Sequence, residues 1–180
     1  MATNFTLKDV RFALCYVYEP SEKSGKYSCR VLIDKSNKED LETLANALSE
    51  CMKDKKTLAT FGGKIPAKYD NVVRDGDEEF PDDPVYKGKI FFNASNKNKP
   101  QIIDKHGVRL ESDDEFWSGC YGAFNGSYYG YDKMGNKGFA ISLDNILKLR
   151  EGERLTGGMS ARQAFSSMLE DDSNPFAGRF

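Results

Sequence analysis

A single histidine serves all 180 residues, and that scarcity removes most nucleophilic chemistry, which needs a base positioned beside the attacking group. His106 stands in Asp104-Lys105-His106-Gly107, a turn-like tetrapeptide. No glycine-rich phosphate loop of the Walker type, no zinc-peptidase helix motif and no dinucleotide fingerprint is present. An enzyme is therefore not expected, and neither is a cofactor. Cys15, Cys29, Cys51 and Cys120 are too widely spaced for a zinc pair or for the framework of a small secreted domain. They are expected as buried or half-buried thiols. No stretch approaches the roughly 18 apolar residues of a membrane span. Met1-Ala2-Thr3-Asn4 lacks a basic segment followed by an apolar one. The expectation is a protein that meets no membrane and stays in the cytoplasm of the cell that makes it.

What is present suits one folded domain: 39% hydrophobic and 30% charged residues in a 180-residue chain. The formal net charge of -2 speaks against a nucleic-acid partner until its distribution is considered. Asp75, Asp77, Glu78, Glu79, Asp82 and Asp83 form a dense acidic block. Over residues 84–110, by contrast, Lys87, Lys89, Lys97, Lys99, Lys105 and Arg109 meet only Asp104. A mildly acidic chain can thus still present a basic groove.

Period-two alternation places Val10, Phe12, Leu14, Tyr16 and Tyr18 on one side of a first strand. After a turn over 20–25, Tyr27, Cys29, Val31 and Ile33 alternate with Ser28, Arg30 and Leu32 in a second. Ser36 and Glu39 can form a capping box ahead of a helix whose Leu41, Leu44, Ala45, Leu48 and Met52 make an apolar stripe. Residues 53–86 show no sustained period and read as an inserted acidic loop with at most a short helical turn. Strands resume at 89–94, 101–103 and 116–131. Gly135-Asn136-Lys137-Gly138 turns the chain back into 139–143. Ser160 and Gln163 suggest a short C-terminal helix with Phe165, Met168 and Leu169 on its apolar side. This is a mostly β chain, best read as a small Greek-key barrel of the OB type elaborated by one long helix and long loops. An open antiparallel sheet with one covering helix is the competing architecture. The domain spans 1–169, and 170–180 reads as a flexible tail.

Function is carried by aromatic and basic residues that interleave. The run Phe116, Trp117, Tyr121, Phe124, Tyr128, Tyr129 and Tyr131 is broken by glycines, and rings on an open sheet face stack with bases at about 1–3 kcal/mol each. About half of these rings are expected in the core. Tyr121, Tyr129 and Tyr131 are the stacking candidates. Lys89, Phe91 and Asn93 share a parity opposite Phe92 and Ala94, which makes Phe91 the ligand-facing ring of its strand. Lys26, Arg30, Lys97 and Lys99 are placed to meet phosphates, and the Arg30 guanidinium can also stack on a base or enter an internal ion pair. The residues alone point to a single-stranded nucleic acid.

Separated motifs also resemble a known family. Gly88-Lys89-Ile90-Phe91-Phe92-Asn93-Ala94, Lys99-Pro100-Gln101-Ile102-Ile103-Asp104, Ser118-Gly119-Cys120-Tyr121, Leu143-Asp144-Asn145-Ile146 and Gly152-Glu153-Arg154-Leu155 are similar to tailed-phage single-stranded DNA-binding proteins. The resemblance covers most of residues 5–169. It implies an oligonucleotide-binding barrel that protects single-stranded DNA during phage replication and recombination in the bacterial host. It also implies an acidic, aromatic C-terminus that recruits replication proteins, matched here by Glu170, Asp171, Asp172, Phe176 and Phe180. A homo-oligomer is compatible with this reading. Two alternatives stay open: a metal-dependent nuclease using the acidic loop, and a phage structural or protein-docking module. An exposed aromatic–basic face would favour strand binding, whereas a flat apolar patch without basic residues would favour docking.

Overall fold

The computed structural model describes residues 3–155 and 165–169. In chain order its elements are β1 (Thr3–Tyr16), β2 (Tyr27–Asp34), α1 (Lys38–Lys53), α2 (Lys55–Thr60), β3 (Asp70–Asn71), β4 (Arg74–Asp75) and α3 (Gly76–Glu79). There follow β5 (Lys89–Asn96), β6 (Gln101–Asp104), β7 (Tyr121–Lys133), β8 (Asn136–Arg150) and a 3-10 turn at Ser166–Met168. Alternation decides which side of each long strand faces inward. Phe5, Leu7, Val10 and Phe12 of β1, Cys29, Val31 and Ile33 of β2, Phe92 and Ala94 of β5, Phe124 and Tyr128 of β7 and Phe139, Ile141 and Leu143 of β8 fill one core. β1 pairs antiparallel with β2 and β7, β2 with β5, and β7 with β8. Parallel pairs Ala94–Ile141 and Ser95–Ser142 close the ring between β5 and β8. This five-stranded Greek-key closure is the OB fold.

Residues 53–86 are not the unpatterned loop expected. Where β5 and β8 diverge beyond their two paired positions, Asp70 and Asn71 pair with Gly138 and Phe139 of β8. Arg74 and Asp75 pair with Phe91 and Ile90 of β5. The insertion thereby seals the seam of the barrel. Its outer turn lays Tyr86 against Phe91, Leu32 and Ala13, making a second apolar cluster on the outside of β2 and β5. The acidic block contributes to this docking, since Lys35 bridges Asp75 and Asp77 at 2.8 Å each.

Several expectations need correction. Leu14 adopts φ 46° within a register shift between Ala13 and Tyr16. That bulge turns Leu14 and Tyr16 to solvent instead of continuing the side of Val10 and Phe12. The α1 cap is Asn37, whose side chain accepts from the Asp40 amide, and not Ser36. Ala45 faces water while Ala47 and Cys51 take up the buried stripe. Phe116 and Trp117 lie in a loop before β7, both buried. The β7–β8 turn is Met134-Gly135, at φ 55° and 92°. It precedes the expected position because a two-residue hairpin needs positive φ at both central residues. β8 then runs on to Arg150, well past Leu143. Only a 3-10 turn is found at 166–168, with Phe165, Met168 and Leu169 exposed. Ser160, Gln163 and residues 170–180 lie outside the described residues. As expected, Cys29, Cys51 and Cys120 are buried and Cys15 is half-buried, and burial pushes the Cys15 thiol up to about 12.

α1 is tied to the barrel by a buried carboxylate. Asp40 is 1% exposed and accepts from the backbone amides of Lys8 and Asp9 at 2.8 Å each, and from the Asn37 side chain at 2.7 Å. Asp40→Ala strands these donors and is expected to cost about 3 kcal/mol, read as a lower urea midpoint at unchanged slope.

Candidate nucleic-acid interface

On the outside of the barrel the strand register aligns one continuous row. Arg150 of β8 pairs with Tyr121 of β7, Tyr121 with Arg11 of β1, Arg11 with Leu32 of β2, and Leu32 with Phe91 of β5. Paired residues project to the same face of a sheet, so an arginine, a tyrosine, a second arginine and two apolar side chains cross five strands in sequence. Both guanidinium groups lie against the Tyr121 ring, Arg150 at 4.4 Å and Arg11 at 5.0 Å from its centroid.

Backbone carbonyls hold Arg11 in that position. Its Nε donates to the Gly119 carbonyl at 3.1 Å and its Nη2 to the Glu153 carbonyl at 3.2 Å. The approach of the two chain segments requires glycine: Gly119 has φ 122°, and a Cβ there would stand 1.9 Å from the Glu153 oxygen. Trp117 locks the same segment by donating from its indole to the Gly152 carbonyl at 2.9 Å. Beyond Arg11 a cleft of about 410 Å³ opens between Tyr121, Arg150, Asp9, Leu32, Asp34 and Lys89.

The basic and aromatic candidates divide among several places. Arg30 lies on this face, but it forms no ion pair among the described residues. It donates to Asn93 at 2.9 Å and to the Tyr86 hydroxyl at 2.8 Å, with its guanidinium 4.8 Å from the Phe91 ring centroid and 5.5 Å from that of Phe80. Phe91 is not the open ring expected, because Tyr86 and Phe80 cover it and leave it 4% exposed. Phe80, at 37%, is the outermost ring of that stack. Lys89 reaches the cleft and pairs with Asp34 at 2.8 Å. Lys26 is half-buried in the β1–β2 connection, and Lys97 and Lys99 are exposed in the turn after β5 with Lys99 6.0 Å from the Tyr18 ring. Tyr129 and Tyr131 face outward as a pair, but ten residues of extended strand, about 33 Å, separate Tyr131 from Tyr121. Burial raises the Tyr129 phenol above its ordinary value, with Tyr131 adding to the effect.

Sequence reasoning missed Arg11, Arg150 and Phe80. Arg11 was legible in principle, as a cation between the inward Val10 and Phe12. The other two depend on where β8 ends and how the insertion docks. Among the described residues no group of three or more histidine, cysteine or carboxylate side chains could hold a metal ion, and no helix is long and apolar enough to cross a membrane.

A closed five-stranded barrel with this strand order and a cationic, aromatic outer row defines an OB-fold protein. The chain belongs to the family of the Enterobacter phage Enc34 ssDNA-binding protein, whose family model matches residues 3–175. A relative, putative protein p50 of Acyrthosiphon pisum secondary endosymbiont phage 1, is 32% identical over 166 residues, 84% of this chain and 86% of its own. Among solved structures, the single-stranded DNA-binding protein of bacteriophage Enc34 in complex with ssDNA is similar with a TM-score of 0.74 at 21% identity, covering 86% of this chain and 90% of that one. The single-stranded DNA-binding protein gp2.5 of bacteriophage T7 shares the fold with a TM-score of 0.59 at 13% identity, over 96% and 97%.

The Lys89 ammonium, by hydrogen bonding, holds the Asp34 carboxyl well below the usual carboxylate range, and Ser36 adds to this. A depressed folded value means that Asp34 contributes stability above its unfolded value, near 3.9, and that this is lost as pH falls through the folded value. In an NMR titration Lys89→Ala is expected to move the Asp34 midpoint upward, toward the ordinary range.

Proposed function

We propose that the chain binds single-stranded DNA along the outer face of β7, β1, β2 and β5, and coats strands left unpaired during phage DNA replication and recombination in the host cell. The observation that carries this reading is the cross-strand row Arg150–Tyr121–Arg11 on an OB barrel of a ssDNA-binding family. Bases stack on the Tyr121 ring while Arg11 and Arg150, with Lys89 and Arg30 farther along, neutralise phosphates. Lys26, Lys97 and Lys99 extend the cationic path at one edge. Strand binding needs no bond making, so the role is not enzymatic. The nuclease alternative loses ground because Asp75 and Asp77 are engaged by Lys35. The acidic and aromatic residues Glu170, Asp171, Asp172, Phe176 and Phe180 serve replication partners. Their carboxylates carry the same sign of charge as the phosphates and compete for the same cationic face. Removing 170–180 is then expected to leave the thermal midpoint unchanged and to strengthen DNA binding modestly.

Fluorescence anisotropy with labelled single strands over a salt series tests the reading. Affinity should fall steeply with salt, and Arg11→Ala or Arg150→Ala should flatten the slope by about 0.7 per lost phosphate contact. Tyr121→Leu should cost about 1–3 kcal/mol with the slope unchanged. If Tyr129→Leu and Tyr131→Leu together weaken binding as much, the contact surface includes the far half of β7. Absence of binding at low salt would reject the proposal.

A further inference from the structure

Resting on the strand-binding reading above, we infer that Phe80, carried by the insertion, is a residue by which the chain tells an unpaired strand from a duplex. Phe80 tops a three-ring stack whose other members are closed to solvent. Its centroid lies 4.4 Å from Tyr86 and 5.6 Å from Phe91, which are 8% and 4% exposed, while Phe80 itself is 37% exposed. The ring is therefore the part of this stack that a base can reach. Phe91 belongs to the row that runs to Tyr121, and Arg30 sits 5.5 Å from the Phe80 centroid. An unpaired base laid on Phe80 has a guanidinium at hand for its phosphate.

The ring is also held in place before any ligand arrives. The four residues of α3 are too few for a helix stable by itself. Three attachments fix them: β4 pairs with β5 immediately upstream, Lys35 grips Asp75 and Asp77, and Asp77 accepts from the Gly88 amide at 3.0 Å. A preformed ring loses little freedom when a base stacks on it. Next to Phe80 in the chain are Glu78, Glu79 and Asp82, all exposed and in no ion pair among the described residues. A flexible single strand can turn one base to Phe80 while routing its phosphates toward Arg30 and Arg11. Duplex DNA has no free base face to offer. It is stiff, carries a charge about every 1.7 Å of axis, and brings that charge within a Debye length, about 10 Å at 0.1 M salt, of three carboxylates. Stacking thus favours the single strand and repulsion disfavours the duplex at one place.

The test measures binding of a labelled single strand and of the matching duplex to the full chain and three variants, with thermal midpoints recorded. Phe80→Leu keeps apolar cover over Tyr86 and Phe91; single-strand affinity is expected to fall about five- to a hundredfold and duplex affinity to change less than about twofold, with Phe80→Tyr restoring the difference. Glu78→Gln/Glu79→Gln/Asp82→Asn should tighten duplex binding at low salt by about tenfold more than single-strand binding, a gain that high salt removes. Equal losses on both ligands in Phe80→Leu, or no loss in a folded variant, would overturn the inference. So would equal gains on both ligands in the charge variant. Failure of the unaltered chain to bind single strands would instead reject the function proposed above, so the two failures are distinct.

Discussion

Only two parallel residue pairs join β5 directly to β8, Ala94 with Ile141 and Ser95 with Ser142, and the barrel depends on how the remaining gap is filled. Parallel pairing between strands that diverge leaves amides and carbonyls without partners, and such groups are costly when water is excluded. Residues 70–75 supply the missing partners to both strands. The same short segment thus completes the core, and it determines where the acidic turn that follows comes to rest. Phe80 and Tyr86 reach the outer face because β4 is already paired with β5.

That arrangement explains how a chain with a formal net charge of -2 presents a cationic surface. Part of its negative charge is occupied internally: Asp75 and Asp77 hold Lys35, Asp34 holds Lys89, and Asp40 caps backbone amides. The cations facing outward in the row are arginines, whose planar groups lie against Tyr121 and Phe91, and Arg150 also pairs with Asp9 at 3.2 Å. Lysines cluster in the turns, where long flexible side chains are readily solvated. Composition alone therefore does not show where the cations gather, whereas the register of five strands does.

Family membership and geometry reinforce each other without duplicating each other. The similarity to the Enc34 and T7 structures, at 21% and 13% identity, establishes the architecture. The particular rings and guanidinium groups are properties of this chain's own register. An exposed ring on an insertion and a half-buried ring on β7 lie on one face, linked by Leu32 and Phe91.

Local periodicity determined a good deal by itself. The alternation in Tyr27–Ile33 and Ile90–Ala94, and the helical spacing of Leu41, Leu44, Leu48 and Met52, identify β2, β5 and α1, because inward and outward positions repeat at a period set by backbone geometry. The outward side of Tyr121, Tyr129 and Tyr131 was legible for the same reason. Tertiary structure decided the rest. Leu14 turns outward at a bulge in the pairing of β1 with β2. Phe91 has the parity of a surface residue, yet it is covered by Tyr86, which approaches from a segment with no period of its own. Arg11 and Arg150 are 139 positions apart and come together only at the Tyr121 ring. A sequence pattern reports the side to which a residue points, whereas what lies on that side depends on strands that pair over long distances along the chain.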